Sequence, residues 1–352
     1  MNTEQFLTFD DALIVPAYSE IESRQEISTA QEFLNLKLEI PILSANMDFV
    51  TGVSMVNAMY FKGGLGILHR FYDSDTNYIS EIDAVNIKVP LWISVGIRDL
   101  KASLDFIKRV QSRVDNLYGV CIDVAHGHHK KVGELLEIIK GSAVDKISNL
   151  KVIAGNVATA EGTDFLRESG ADAIKVGIGA GSVCTTRTVA GVGIPQLSAI
   201  LECASVKIDY PQTVLIADGG IRCSGDIAKA LAAGADVVMV GHMLAGTDEA
   251  PGEIVDDGII YTWSDPNRPK YKRYRGQASF GANDSRYVKE GIEGLVPYKG
   301  PVAPILDDIQ AGLRSSMSYV GARTLEEFRE NAKFIEVSSH TLMENNTRVK
   351  ER

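Results

Sequence analysis

Short apolar runs of strand length alternate along this chain with longer stretches whose apolar residues recur at helical spacing. The runs are Pro41–Asn46, Gly64–His69, Leu91–Gly96, Gly119–Ala125, Lys151–Val157, Ala173–Gly179, Thr213–Gly219 and Asp236–Gly241. Helical patterns fill the gaps at Leu100–Val110, Lys130–Ile139, Ala160–Ser169, Gln196–Ala204 and Gly225–Ala233, and resume at Ile305–Leu313. Nearly continuous apolar strands joined by helical crossovers predict a parallel sheet covered by helices. Eight such units predict an α/β fold of the (β/α)8 barrel type, and 352 residues suit it with insertions allowed. An open doubly wound sheet is the competing arrangement.

The alternation breaks between residues 250 and 300. This stretch is polar and carries Tyr271-Lys272-Arg273-Tyr274-Arg275 and Gly281-Ala282-Asn283-Asp284-Ser285. A connection this long is usually functional, and it is expected to be a flap over the barrel mouth; a solvated excursion or a subunit contact is the plainer reading. Residues 1–340 are then expected to form one barrel, followed by a charged, disordered tail at 341–352.

Composition narrows the function classes. The net charge of -10 argues against nucleic acid as a main partner. No run approaches the roughly 18 apolar residues of a membrane span, and no basic start precedes an apolar stretch, so neither a membrane nor an export signal is expected. The four cysteines, Cys121, Cys184, Cys203 and Cys223, form no CxxC pair, which points to a reducing, cytoplasmic setting.

In such a barrel, functional residues follow the C-terminal ends of the strands. Chemistry-bearing residues do follow these runs: Ala45-Asn46-Met47-Asp48, His69-Arg70, Asp123-Val124-Ala125-His126-Gly127, Gly155-Asn156, Asp218-Gly219-Gly220 and Gly241-His242. After the sixth run comes Gly177-Ile178-Gly179-Ala180-Gly181-Ser182-Val183-Cys184-Thr185-Thr186-Arg187. A cysteine on a glycine-rich loop beside hydroxyls and a cation is a candidate covalent nucleophile; the bland reading is a tight turn with a passive cysteine. Gly219, Gly220 and Gly241 offer the close backbone approach a phosphate needs, and Asp218 could accept from ribose hydroxyls, unless it merely caps its turn. Together they read as a nucleotide monophosphate site. His126, His128 and His129 match no zinc spacing. His126 is expected to face a ligand or start a helix, and the other two to be solvated. Cys121, Cys203 and Cys223 are read as structural.

From about Leu7 to Val337 the chain resembles the IMP dehydrogenase / GMP reductase family. The resemblance is carried by Leu7-Thr8-Phe9-Asp10-Asp11, Ser44-Ala45-Asn46-Met47-Asp48, Ile153-Ala154-Gly155-Asn156-Val157-Ala158-Thr159, the cysteine loop, Ala217-Asp218-Gly219-Gly220-Ile221-Arg222 and Val296-Pro297-Tyr298-Lys299-Gly300. It implies a barrel, usually a homotetramer, acting on a purine nucleotide (GMP or IMP) with a nicotinamide cofactor. It implies Cys184 as the nucleophile toward purine C2, with Thr186 and Glu290 handling protons. Asn46, Met47, Ser182, Asp218, Gly219, Gly220, Gly241, His242, Gln277, Ala278 and Gly291 would meet the nucleotide. Arg70, Asp123, Ala125, Asn156 and Arg187 would lie on the cofactor side. Backbone carbonyls of Gly179, Gly181 and Cys184 would hold a monovalent cation, K+ by the resemblance. Ala180 stands where the family usually has proline, which loosens the expected loop rigidity.

Several features resemble the reductase branch, which uses NADPH: Asn46, the short segment between Gly276 and Glu290, Arg70, Ser316-Met317-Ser318-Tyr319, and a second strand running straight on to the third without the regulatory domain pair usual in dehydrogenases. Arg286-Tyr287, Val189-Ala190-Gly191 and Glu290-Gly291-Ile292-Glu293-Gly294 resemble the dehydrogenase branch, which uses NAD. The expectation is a GMP reductase. An IMP dehydrogenase, or a purine-nucleotide binder without catalysis, is the alternative.

Overall fold

A computed structural model describes residues 5–72, 74–141, 146–256, 269–276, 290–338 and 340–345. Eight parallel strands form its central sheet: β1 (Ile42–Ser44), β2 (Leu65–Gly66), β3 (Leu91–Val95), β4 (Leu117–Asp123), β5 (Lys151–Val157), β6 (Ala173–Val176), β7 (Leu215–Asp218) and β8 (Val237–Val240). They pair in chain order, and β8 pairs with β1. A parallel bridge from Leu68 to Ile93 joins the remaining edges, so the sheet closes into a (β/α)8 barrel. The doubly wound alternative is excluded.

The crossover helices are α1 (Val53–Phe61), α2 (Asp75–Ala84), α3 (Leu100–Arg113), α4 (Lys130–Gly141), α5 (Ala160–Glu168), α6 (Gln196–Ser205) and α7 (Ser224–Ala232), with α8 (Val302–Tyr319) completing the ring. In α3 the buried Phe106, Ile107 and Val110 share one face, and Asp99 caps the first turn by accepting the Ala102 amide at 3.0 Å. Thr159 caps α5 in the same way through the Gly162 amide. Such caps satisfy amides that have no partner inside the helix. Among the described residues, no helix is long and apolar enough to cross a membrane.

A device at the bottom of the barrel sets register twice. Gly170-Ala171-Asp172 precedes β6 and Gly234-Ala235-Asp236 precedes β8. Each carboxylate accepts an amide at the start of the neighbouring strand, Val152 for Asp172 and Leu215 for Asp236, both at 2.7 Å. Each is also paired with a lysine, Lys140 or Lys207.

The polar stretch expected to be a flap includes regular structure among its described residues. β9 (Tyr271–Arg275) pairs antiparallel with β10 (Glu293–Pro297), in register from Tyr271 opposite Pro297 to Arg275 opposite Glu293. A second antiparallel pair, Ala12–Ile14 with Phe334–Glu336, joins the two ends of the described chain. Residues 257–268 and 277–289 of the expected flap, and 346–352 of the expected tail, lie outside the described residues; Thr341–Glu344 forms a short helix.

Candidate active site

A cavity opens at the C-terminal ends of the barrel strands, in two joined compartments. One is lined by Asn46, Arg70, Asp123, Ala125, Asn156 and Lys175, by the loop from Gly177 to Cys184, and by Thr186 and Glu290. The second is lined by Ser182, Gly219, Gly220, Gly241 and His242. Met47, Asp218 and Tyr274 border both. Most of the residues singled out in the sequence therefore converge on one place.

The cysteine loop is held from two sides. Gly177 has φ of 146°, and a Cβ there would lie 1.9 Å from the Asp218 carbonyl oxygen, so only glycine lets the loop pass β7. On the other flank, residues 290–292 run antiparallel to 183–185. The Thr185 amide donates to the Glu290 carbonyl at 2.9 Å, and the Ile292 amide to the Val183 carbonyl at 3.0 Å. These main-chain bonds place Glu290 next to the loop across a long sequence separation. The Thr186 hydroxyl donates to Glu290 Oε2 at 2.7 Å and lies 3.2 Å from Cys184 Sγ. Thiol, hydroxyl and carboxylate thus form a continuous hydrogen-bonded chain at the cavity wall. Such a chain can move a proton between the carboxylate and a group reacting at the sulfur.

Beneath it lies a buried charge cluster. Lys175 is 2% exposed, and its ammonium sits 2.8 Å from Asp123 Oδ1 and 3.1 Å from Asp218 Oδ2. Barrel register explains the reach. Asp123, Gly155 and Lys175 are paired side by side on β4, β5 and β6. Gly155 leaves the space between them, since a Cβ there would stand 2.6 Å from Lys175 Cβ. Burial opposes the charge on Lys175, but Asp123 and Asp218 outweigh it and raise its pKa. Burial likewise opposes the charge on Asp123. The charges of Lys175 and Arg70 and hydrogen bonds from Lys175 and Asn46 overcome it and hold the carboxyl below its ordinary value. Asn156 Nδ2 donates to Asp218 Oδ2 at 2.8 Å and to the Gly177 carbonyl at 2.9 Å. Both side-chain bonds to Asp218 converge on Oδ2, and the residue lines the cavity.

The second compartment is built from backbone. Gly219 and Gly220 have φ of 102° and 78°, a left-handed turn that residues with side chains avoid. Tyr274 reaches it from β9, with its hydroxyl 3.2 Å from Ser182 Oγ. Burial, ahead of the Ser182 hydrogen bond that favours ionisation, raises the Tyr274 pKa, so the phenol remains neutral. Arg222 also lines this compartment, but its guanidinium is held by Asp10 and Asp226.

β9 is fastened in place by side chain and main chain together. Lys272, 5% exposed, donates to the carbonyls of Thr247 at 2.9 Å and Ala250 at 2.7 Å. Arg275 grips Asp48 Oδ2 through Nε at 2.7 Å and through Nη2. The Gly276 amide donates to the Ile292 carbonyl at 3.0 Å. Lys299, just beyond β10, donates to the carbonyls of His242 and Met243.

Sequence patterns do not single out Lys175, Tyr274 or Arg275 as site residues. The signal for Lys175 is there all the same, as one cation inside the apolar run Ala173-Ile174-Lys175-Val176. Arg70 lies on the cavity wall, close to Asp123, with its buried Nε lacking a partner among the described residues. Arg187 does not line the cavity. Its side chain packs on Gly179 and Gly193 and donates to the Ile194 carbonyl, which braces the cysteine loop. His126, His128 and His129 are exposed, and among the described residues no three His, Cys, Asp or Glu side chains converge on a metal site. Gln277, Ala278, Arg286 and Tyr287 lie outside the described residues.

Residues 6–348 match the family model described as the IMP dehydrogenase / GMP reductase domain. The chain is 35% identical to inosine-5'-monophosphate dehydrogenase of Aquifex aeolicus (strain VF5), covering 94% of this chain and 93% of that protein. It is 38% identical to inosine-5'-monophosphate dehydrogenase of Cryptosporidium parvum, covering 97% and 95%. In three dimensions it superposes on a cysteine-to-alanine variant of GMP reductase from Trypanosoma brucei in complex with guanosine 5'-monophosphate, with TM-score 0.88, 28% identity and 99% of both chains covered.

Proposed function

Because the chain belongs to the IMP dehydrogenase / GMP reductase family, an oxidoreductase family, we propose that it is a GMP reductase, converting GMP to IMP and ammonia at the expense of NADPH. The observation that carries this reading is the bonded chain from Cys184 Sγ through Thr186 Oγ1 to Glu290 Oε2. It offers an acid to whatever group departs from the carbon that Cys184 attacks. The bound guanosine 5'-monophosphate in the Trypanosoma brucei structure supports a guanine nucleotide.

The nucleotide fits the paired compartments. Its phosphate would take the Gly219-Gly220 and Gly241 backbone with Ser182, its ribose hydroxyls would donate to Asp218 Oδ1, and its purine would lie over Met47 beside Cys184. The thiolate of Cys184 adds to C2. The C–S bond forms as the C2–N bond breaks, and Thr186, supplied by Glu290, gives the departing amine the proton it needs to leave as ammonia. The wall formed by Asn46, Arg70, Asp123, Ala125 and Asn156 fits a nicotinamide carboxamide and ribose, since the buried Arg70 Nε has a donor to spend. A reduced nicotinamide held there would supply the hydride that C2 needs, and Cys184 would leave C2 as the thiolate when the C–S bond breaks. Excluding water from this step protects the covalent adduct from hydrolysis. A monovalent cation such as K+ would take hard oxygen ligands from the carbonyls of Gly179, Gly181 and Cys184, the Gly181 carbonyl also accepting the Cys184 amide at 3.1 Å.

IMP dehydrogenase is the second reading, favoured by the names of the Aquifex and Cryptosporidium relatives and by Arg286-Tyr287 as a pair able to activate water. Nicotinamide absorbance separates the two in parallel assays. GMP-dependent NADPH loss with ammonia release is expected. NADH formation from IMP, NAD and potassium would replace the reading with the second, and GMP binding without either turnover would make the protein a nucleotide binder.

A further inference from the structure

We propose that Lys175 is a positioning residue that couples the two halves of the cavity, so that nucleotide bound at Asp218 favours dinucleotide bound at Asp123. The inference rests on the assignment of those two walls given above, and on a juxtaposition that assignment does not require. One buried ammonium is shared between Asp218, which borders both compartments, and Asp123, which borders only the one beyond Cys184.

The coupling has a direction. Lys175 sits closer to Asp123 (2.8 Å) than to Asp218 (3.1 Å). Ligand hydroxyls donating to Asp218 Oδ1 draw on the charge of that carboxylate and weaken its hold on the ammonium. Lys175 then pairs more fully with Asp123, fixing the rotamer of a carboxylate that is 3% exposed. A fixed acceptor costs the second ligand less ordering than a mobile one. The ammonium is within hydrogen-bond reach of both carboxylates at once, so weakening one contact strengthens the other without a change of rotamer, and Asn156 keeps Asp218 anchored meanwhile. By linkage the effect is reciprocal, so bound dinucleotide tightens the nucleotide equally.

Equilibrium titration calorimetry in a Cys184→Ala background, where no covalent step can occur, reads the coupling directly. GMP is titrated with and without saturating NADPH. Its affinity is expected to rise about fivefold or more with NADPH present, within the usual range of coupling between sites. In Cys184→Ala/Lys175→Met the ratio should fall below about twofold. Removing a buried lysine leaves two carboxylates unpaired and can prevent folding, so Cys184→Ala/Asp123→Asn is measured as well. It keeps the Lys175–Asp218 pair and cuts only the far end of the bridge. If Asp123 did no more than touch the dinucleotide, its replacement would weaken NADPH equally with and without GMP, whereas a broken bridge abolishes the ratio. Coupling that persists in either folded variant, or is absent from the parent, overturns the proposal. Failure of the Cys184→Ala protein to bind GMP or IMP at all overturns the functional assignment instead.

Discussion

Replacing Thr186 by valine keeps the side chain's shape and removes one hydroxyl, the middle member of the chain between Cys184 and Glu290. With it go the 2.7 Å bond to Glu290 Oε2 and the 3.2 Å approach to Cys184 Sγ. Two ordinary hydrogen bonds are worth about 1 kcal/mol each, and cavity water can replace part of that because both groups are only half-buried. Folding and nucleotide affinity should therefore change little, with GMP affinity within about threefold. The chemical step should suffer more, since a positioned acid contributes about 10²–10⁴ in rate, or about 2.7–5.4 kcal/mol of barrier. Rapid-quench measurement of ammonia released in a single turnover of GMP reads this step alone. Glu290→Gln should slow it comparably, and the double variant should be scarcely worse than either single one, because the residues act as a unit. A Thr186→Val enzyme whose loss lies wholly in GMP affinity, or whose single turnover slows less than about fivefold, would refute the relay.

Three further outcomes follow from the geometry. Cys184→Ala should bind GMP in calorimetry and show no turnover; substantial turnover would exclude the covalent step. Gly177→Ala drives a methyl group into the Asp218 carbonyl, 1.9 Å from its Cβ; it should displace the cysteine loop and weaken GMP binding at least about tenfold, given the steepness of such overlap. His69 is 5% exposed, and burial, then the charge of Arg275, lowers its pKa from 6.5 to about 4. The unfolded chain therefore binds the extra proton first as pH falls. Stability from this group is complete above pH 6.5 and drains away toward pH 4, by about 3 kcal/mol in all. Urea unfolding of the wild type and His69→Gln across that window should give curves that converge at low pH. Parallel curves would place the titration elsewhere.

The barrel was legible because each strand is a nearly unbroken apolar run and the helices carry a clear 3.6-residue stripe; Val237–Val240, buried on both faces, is an example. α2 was less so, because it buries only Tyr78 and Ile82 of its ten residues and so has a weak stripe. β9 and β10 were not legible as strands. Lys272 alternates inward like a core residue, and nothing local announces that three distant carbonyls await its ammonium. The site divided in the same manner. Cys184, Asp218 and the Gly219-Gly220 turn announce themselves by residue type and local spacing. Glu290 emerged only through the family resemblance, because main-chain pairing with residues 183–185 brings it in. The family resemblance puts Arg187 on the cofactor side, but its stem packs where a side chain at Gly179 would stand, which the local sequence does not announce.

The central claim is that Cys184 displaces the 2-amino group of GMP. Mixing enzyme with GMP in the absence of NADPH, quenching in acid and weighing the peptide that carries Cys184 tests it most directly. The account predicts that peptide with the mass of GMP less ammonia added, and an equal amount of free ammonia. An unmodified peptide with GMP, alongside the same adduct formed from IMP and NAD, would contradict it.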